Sequence, residues 1–237
     1  MTTVAILLPS RGRAAQLTER VTSLLWQVPP AGVTIYITLA VCLDDAETQT
    51  AAEALQHTSR FAQFRVESTS RPADSTAVQG WNMAYQFRRA RGGADWYILG
   101  ADDIVWVPGW LDAALAEARP GVEVIGLDDG GHTDLRLYAP HYMAQAAFVE
   151  EVLGGLFVPP EYYAWWFDRE VCEVARARNA YSPAPGAVAR HLHPDWQTAR
   201  MDRTYRDAWP LHDVDRQTYL TRRAQGYPVN WRERCES

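Results

Sequence analysis

Two adjacent acids, Asp102-Asp103, follow the apolar run at residues 96–99 and precede Ile104-Val105-Trp106, so they fall where a strand passes into a loop. Carboxylates projecting beyond a strand end are hard oxygen donors, and such donors suit Mg2+ or Mn2+. The same pair could instead turn the chain in solvent and cap the next helix. Two more polar clusters, Pro9-Ser10-Arg11-Gly12-Arg13 and Asp44-Asp45, also follow apolar runs. Arginine's planar fork matches phosphate oxygens. Late in the chain, His191 and His193 fall on one side of an extended segment, either as a pair of ligands or as two exposed structural histidines.

These clusters need elements that bring them together. Residues 4–8 form a short apolar strand ended by Pro9, and Leu17, Val21, Leu24 and Leu25 mark one face of a following helix. Residues 33–42 are rich in β-branched and apolar side chains, and residues 46–57 return to helical composition. A third strand at 61–67, a helix at 78–91 and a fourth strand at 96–99 complete the alternation. Strands alternating with helices predict a mainly parallel sheet covered on both faces, which collects ligands at the carboxyl ends of its strands. All three polar clusters fall at that edge. Beyond residue 121 the pattern is mixed, with strands expected at 122–126 and 135–138 and helices at 145–152 and 167–179. Residues 198–237 read as a helical tail rich in arginine and aromatic side chains.

The 237 residues, 47% apolar and 22% charged, fit one main soluble domain. No apolar run approaches the roughly 18 residues of a membrane helix, and the N-terminus has no basic segment before its apolar run, so a cytoplasmic protein without a signal peptide is expected. Cys42, Cys172 and Cys235 form no metal or disulfide pattern and read as free thiols. All 23 cationic side chains are arginine, eight of them between Arg200 and Arg234, yet the net charge of -6 gives no reason to expect bulk electrostatic binding of nucleic acid.

The segments VAILLPSRGR (4–13), SLLWQ (23–27), Asp44-Asp45, GWNMA (80–84), DWYILGADD (95–103) and PGWL (108–111) together resemble family 2-like GT-A glycosyltransferases, some compact members of which are phage-encoded. The resemblance spans about residues 4–194. It implies an α/β GT-A fold, Rossmann-like, with a nucleotide-sugar-binding half at 1–120, an acceptor-side half at 121–197 and a C-terminal extension at 198–237. It further implies donor contacts from Pro9, Ser10, Arg11, Arg13, Asp44, Asp45, Asn82, Ala101 and Asp102. Asp102 is then the main ligand of Mn2+ or Mg2+, with His193 completing the shell and Asp103 or His191 as further ligands. One departure stands out: Gly100 occupies the place of the first acid of a DxD motif.

The block at 154–175, GGLFVPPEYYAWWFDREVCEVA, is similar to the acceptor-side segment of the same family, in which an acid opening a helix is the base of inverting members. Asp168 holds that position, with Glu170 as a weaker candidate. A base there takes the acceptor hydroxyl's proton during in-line displacement. Tyr162, Tyr163, Trp165 and Trp166 read as walls around an acceptor or as packing between helix and sheet.

The expected activity is therefore metal-dependent, inverting transfer of a hexosyl or pentosyl group from a nucleotide-diphospho-sugar, UDP-sugar favoured, to a hydroxyl acceptor. A 5-hydroxymethylpyrimidine in phage DNA is one candidate acceptor. Two rivals remain. A sugar-phosphate nucleotidyltransferase normally brings a glycine-rich loop with a lysine after the first strand, and residues 10–13 have neither the glycine run nor the lysine. A catalytically inactive nucleotide-sugar-binding module is the other.

Overall fold

The computed structural model describes residues 1–229. Its N-terminal half follows the expected alternation: β1 (Thr2–Ser10), α1 (Ala14–Leu25), β2 (Val33–Cys42), α2 (Ala46–Leu55), β3 (Phe64–Arg71), α3 (Ala77–Arg89) and β4 (Trp96–Leu99). The second half contains β5 (Ile104–Trp106), α4 (Trp110–Ala116), β6 (Val124–Asp128), β7 (His141–Gln145), α5 (Phe167–Ala177) and β8 (Tyr181–His191). Helices α6 (Arg203–Ala208) and α7 (His212–Ala224) follow.

One sheet runs through the molecule in the order β3-β2-β1-β4-β7-β6-β8-β5. Strands β3, β2, β1 and β4 are parallel. Beyond them the sheet is mixed, because β7 runs antiparallel to both β4 and β6, and β5 antiparallel to β8. Strands β1, β2 and β4 are mostly apolar and buried, as strands covered on both faces must be, whereas the edge strand β3 is polar and half-buried. On one face Leu17, Val21, Leu24 and Leu25 of α1 pack with Ala52 and Leu55 of α2 and Trp110 and Leu111 of α4. On the other, Val78 and Trp81 of α3 pack with Phe167 and Val171 of α5 and Tyr219 of α7.

Helix α3 starts on a reciprocal capping box between Thr76 and Gln79, which satisfies two N–H groups that the first turn leaves free. Gly80 lets it press against the sheet: a Cβ there would lie 2.7 Å from Cβ of Pro9.

Three expectations need correction. Residues 135–138 are not a strand, because Asp134 accepts the Arg136 N–H through its side chain and the Leu137 N–H through its carbonyl, closing a turn. The helix expected from residue 145 is displaced: Gln145 ends β7, and a π-helical turn spans Phe148–Val152. Strand β3 begins at Phe64 and continues to Arg71, which carries that arginine to the sheet edge where ligands collect.

The C-terminal helices pack closely on the domain. Arg222 of α7 donates to both carboxylate oxygens of Glu170 at 2.8 and 2.7 Å, and Glu161 lies 3.0 Å from the same guanidinium. Glu170 is thereby committed to holding α7 on α5. Residues 230–237, including Cys235, lie outside the described residues, whereas Cys42 and Cys172 are buried free thiols. No helix among the described residues is long and apolar enough to cross a membrane.

Candidate active site

A cavity of about 400 Å3 opens at the carboxyl ends of β1 and β4. Pro9, Ser10, Arg11, Arg13, Ala101, Asp102 and Asp103 line it from the N-terminal half. Tyr138, His141, Trp165, Trp166, Asp168, His191 and His193 line it from the second half, and Tyr205 and His212 from the tail. Two of the three strand-end clusters and the late histidines thus meet in one place.

Its centre is a buried ion cluster. Arg13 Nη1 donates to Asp102 Oδ1 at 2.8 Å and to Asp103 Oδ2 at 3.1 Å, while its Nε donates to Asp202 at 2.8 Å. Ser10 Oγ donates to the other oxygen of Asp102 at 2.6 Å. Tyr205 of α6 donates to Asp103 Oδ2 at 2.7 Å, and its ring lies against the Arg13 guanidinium. The acids are therefore buried and paired, not a solvated turn. Burial raises Asp102 to about 6 despite Arg13. Burial would raise Asp103 as well, but His191, Arg13 and the Tyr205 hydroxyl outweigh it, so Asp103 stays ionised.

The missing first acid has a steric reason. Gly100 continues the ladder to β1 through its N–H to the Leu7 carbonyl, and a Cβ there would come 2.7 Å from Ile6 Cγ2 and 3.0 Å from that carbonyl. No aspartate fits. The Gly100 carbonyl in turn accepts the indole N–H of Trp81 at 2.7 Å.

The histidines differ in what they offer. His141 lies 3.0 Å from the Leu99 carbonyl through Nδ1, and a carbonyl can only accept, so Nδ1 carries the proton and Nε2 keeps its lone pair. Burial lowers its pKa to about 3, so it is neutral. His193 is the reverse: its Nδ1 accepts the Asp195 N–H at 3.2 Å, which puts the ring proton on Nε2. Burial lowers its pKa also. Both Nε2 atoms are buried without a hydrogen-bond partner, as is Asp103 Oδ1, which lies 3.5 Å from His191 Nε2. As hydrogen-bonded here, His193 presents an N–H rather than a metal-binding lone pair. Among the described residues no three His, Cys, Asp or Glu side chains are gathered so as to hold a metal ion. The donor chemistry nevertheless fits a hard divalent cation, with hard carboxylate oxygens and one neutral imidazole lone pair at the cavity wall.

Asp168 lies in the first turn of α5, and Trp166 stands at the N-cap position with no side-chain capping bond. Trp166 adopts a left-handed backbone, φ 68°, which a non-glycine residue holds only at a cost of about 1–3 kcal/mol. That turn directs the 165–168 segment to the cavity. Burial raises the Asp168 carboxyl to about 6, offset in part by Arg169. Of Tyr162, Tyr163, Trp165 and Trp166, the two tryptophans line the cavity, whereas Tyr162 is buried on Glu170 and Tyr163 is exposed.

Three expected donor residues stand outside the cavity lining. Asn82 spends its amide on the Val158 backbone in both directions. Asp45 accepts the Gly12 N–H and caps α2 through Thr48. Asp44 pairs with Arg11 at 2.8 Å, near the cavity rim. Glu170 is absent from the lining too.

Sequence reasoning missed Arg71, His141, Asp202 and Tyr205. Arg71 is buried at the cavity wall, where its Nη1 meets only carbonyl and hydroxyl oxygens of Ser75 and Thr76, and its Nε has no partner. An arginine closing a strand after Ser68-Thr69-Ser70 was its one available signal.

No family model matches the sequence, and no curated protein does. Solved structures do. A mannosyltransferase from Pyrobaculum calidifontis, solved with GDP-Man and Mn2+, aligns with 80% of this chain and 56% of its own at 11% identity, TM-score 0.61. TarS from S. aureus, solved with UDP-GlcNAc, aligns with 77% of this chain and 56% of its own at 14% identity, TM-score 0.59. The fold is GT-A. Glucosyl-3-phosphoglycerate synthase from Mycobacterium tuberculosis, solved with Mg2+ and UDP, shares it at 14% identity and TM-score 0.54, over 81% of this chain and 72% of that one. The chain spans little more than half the length of the first two GT-A proteins.

Proposed function

We propose that the chain is a glycosyltransferase that moves a sugar from a nucleoside-diphosphate donor, UDP-sugar favoured, to a hydroxyl acceptor with inversion. One observation carries the reading: Asp168, a carboxyl raised to about 6 by burial, faces the same cavity as the strand-end cluster of Arg13, Asp102 and Asp103. A base tuned towards neutrality that shares a cavity with strand-end carboxylates able to hold a cation supports in-line displacement of a diphosphate.

The donor's diphosphate lies against Ser10, Arg13 and Arg71, and the buried N–H of His193 donates to one of its oxygens. Trp165 and Trp166 bound the acceptor and exclude water. As the acceptor oxygen attacks the anomeric carbon, Asp168 takes its proton; the bond from that carbon to the diphosphate oxygen breaks, and the nucleoside diphosphate leaves with the electron pair. Mn2+ or Mg2+, held by Asp102 and Asp103, would neutralise charge on the leaving diphosphate. The donors named in the solved GT-A structures, GDP-Man and UDP-GlcNAc, are of this class.

Thermal melting against a panel of nucleoside diphosphates and nucleotide sugars, with and without Mn2+, tests the donor site, because a ligand of the folded state raises its apparent stability. A shift selective for one base is expected. No shift with any nucleotide would remove the reading and favour a fold retained without donor binding.

A further inference from the structure

We propose that Arg13 and a divalent cation are alternative occupants of the Asp102-Asp103 pair, and that the exchange releases α6 from the site. The inference rests on reading that pair as a cation site, and deepens it.

Three of the pair's four carboxylate oxygens are already engaged. Arg13 Nη1 sits between Asp102 Oδ1 and Asp103 Oδ2 at 2.8 and 3.1 Å, and Ser10 takes Asp102 Oδ2. Only Asp103 Oδ1 lacks a hydrogen-bond partner. Mg2+ or Mn2+ needs oxygens at about 2.0–2.3 Å. The Arg13 guanidinium fills the gap between Asp102 Oδ1 and Asp103 Oδ2 that an ion bridging the pair would take, and two cations in one buried gap repel at short range. Arg13 must therefore swing out before the ion settles.

The same side chain ties down the tail. Its Nε holds Asp202, the residue that caps α6, and its guanidinium lies over Tyr205, whose hydroxyl donates to Asp103. When Arg13 leaves, Asp202 loses its buried partner, and an ion on Asp103 displaces the Tyr205 hydroxyl. Cation entry and release of residues 202–205 become one event. The freed guanidinium then stands at the cavity wall, where an anionic donor can accept it.

The test is direct titration of the purified full chain with Mn2+ alone, following free Mn2+ by electron paramagnetic resonance, for the native protein, Arg13→Gln and Asp202→Asn. Arg13→Gln removes the competitor, and its Mn2+ affinity is expected to rise at least tenfold. An equal or weaker affinity overturns the proposal, since it would make Arg13 an organiser of the site. Should Arg13→Gln fail to fold, the half-exposed Asp202 supplies the second variant: Asp202→Asn loosens Arg13 and is expected to tighten Mn2+ about threefold, with no change or weakening counting against the proposal. Trypsin cleavage at Arg200, Arg203 and Arg206 is expected to accelerate when the native protein is saturated with Mn2+; an unchanged rate overturns the coupling to α6. If no variant binds Mn2+ while a nucleotide still stabilises the protein in EDTA, the cation site and this inference fall together and the transferase reading survives.

Discussion

Asp215 accepts the backbone N–H of Trp165 at 2.8 Å, and the same carboxylate takes the N–H groups of Tyr163 and Ala164. A side chain of α7 thus fixes the loop that brings Trp165, Trp166 and Asp168 to the cavity. Asp215→Ala leaves these donors without their acceptor, which costs about 2 kcal/mol by urea unfolding. In the folded fraction the loop loosens, so the acceptor KM is expected to rise more than kcat falls. A change confined to stability would mean that the loop holds its shape without α7.

Asp168→Asn removes the base and leaves the strand-end cluster untouched. Turnover is expected to fall about 10²–10⁴-fold. Nucleotide affinity measured by calorimetry should stay within twofold of the native value. Near-native turnover would mean that another group takes the proton.

The pH dependence follows from the same carboxyl. With its folded pKa raised to about 6, Asp168 acts as a base only when ionised, so kcat/KM falls as pH drops through about 6. Stability runs the other way. The folded state binds this proton more tightly than the unfolded chain does, so above pH 6 the partly buried charge carries a cost on the order of 1–3 kcal/mol, and the cost disappears as pH falls towards 4. At pH 7.5 Asp168→Asn should therefore raise the melting temperature, and a lowered one would contradict the assigned environment.

Glu170→Gln tests the assignment of that acid to packing. It weakens the bidentate pairing of the buried Arg222, which keeps Glu161 at 3.0 Å, and should destabilise the fold by about 2 kcal/mol in denaturant titrations. Donor affinity of the folded protein is expected to be unchanged; a selective loss of affinity would return Glu170 to the site.

Much of this was legible from the chain. Apolar runs ending in polar clusters located β1, β2 and β4, and parallel strands bring their carboxyl ends to one edge, so Arg13, Asp102 and Asp103 meet as expected. The second half was harder. Strand β7 is buried at four of its five positions and shows no alternation, and β8 carries Pro183, Pro185 and Gly186, residues that ordinarily punctuate strands. Missing β7 meant missing His141. Asp202 and Tyr205 lie about 190 residues from Arg13 along the chain, and no local pattern reports a contact of that range. Asp45 and Asn82 have residue types fit for ligand contact, but their partners in the fold, Gly12 with Thr48 and the Val158 backbone, were not visible in sequence.

Release of nucleoside diphosphate from a UDP-sugar, followed with Mn2+ for the native protein, Asp102→Ala and Asp168→Asn, tests the central claim most directly. The account predicts steady release by the native protein, its loss with weakened donor binding in Asp102→Ala, and its loss with intact donor binding in Asp168→Asn. Equal release from all three, or none from the native protein with any nucleotide sugar that binds, would contradict it.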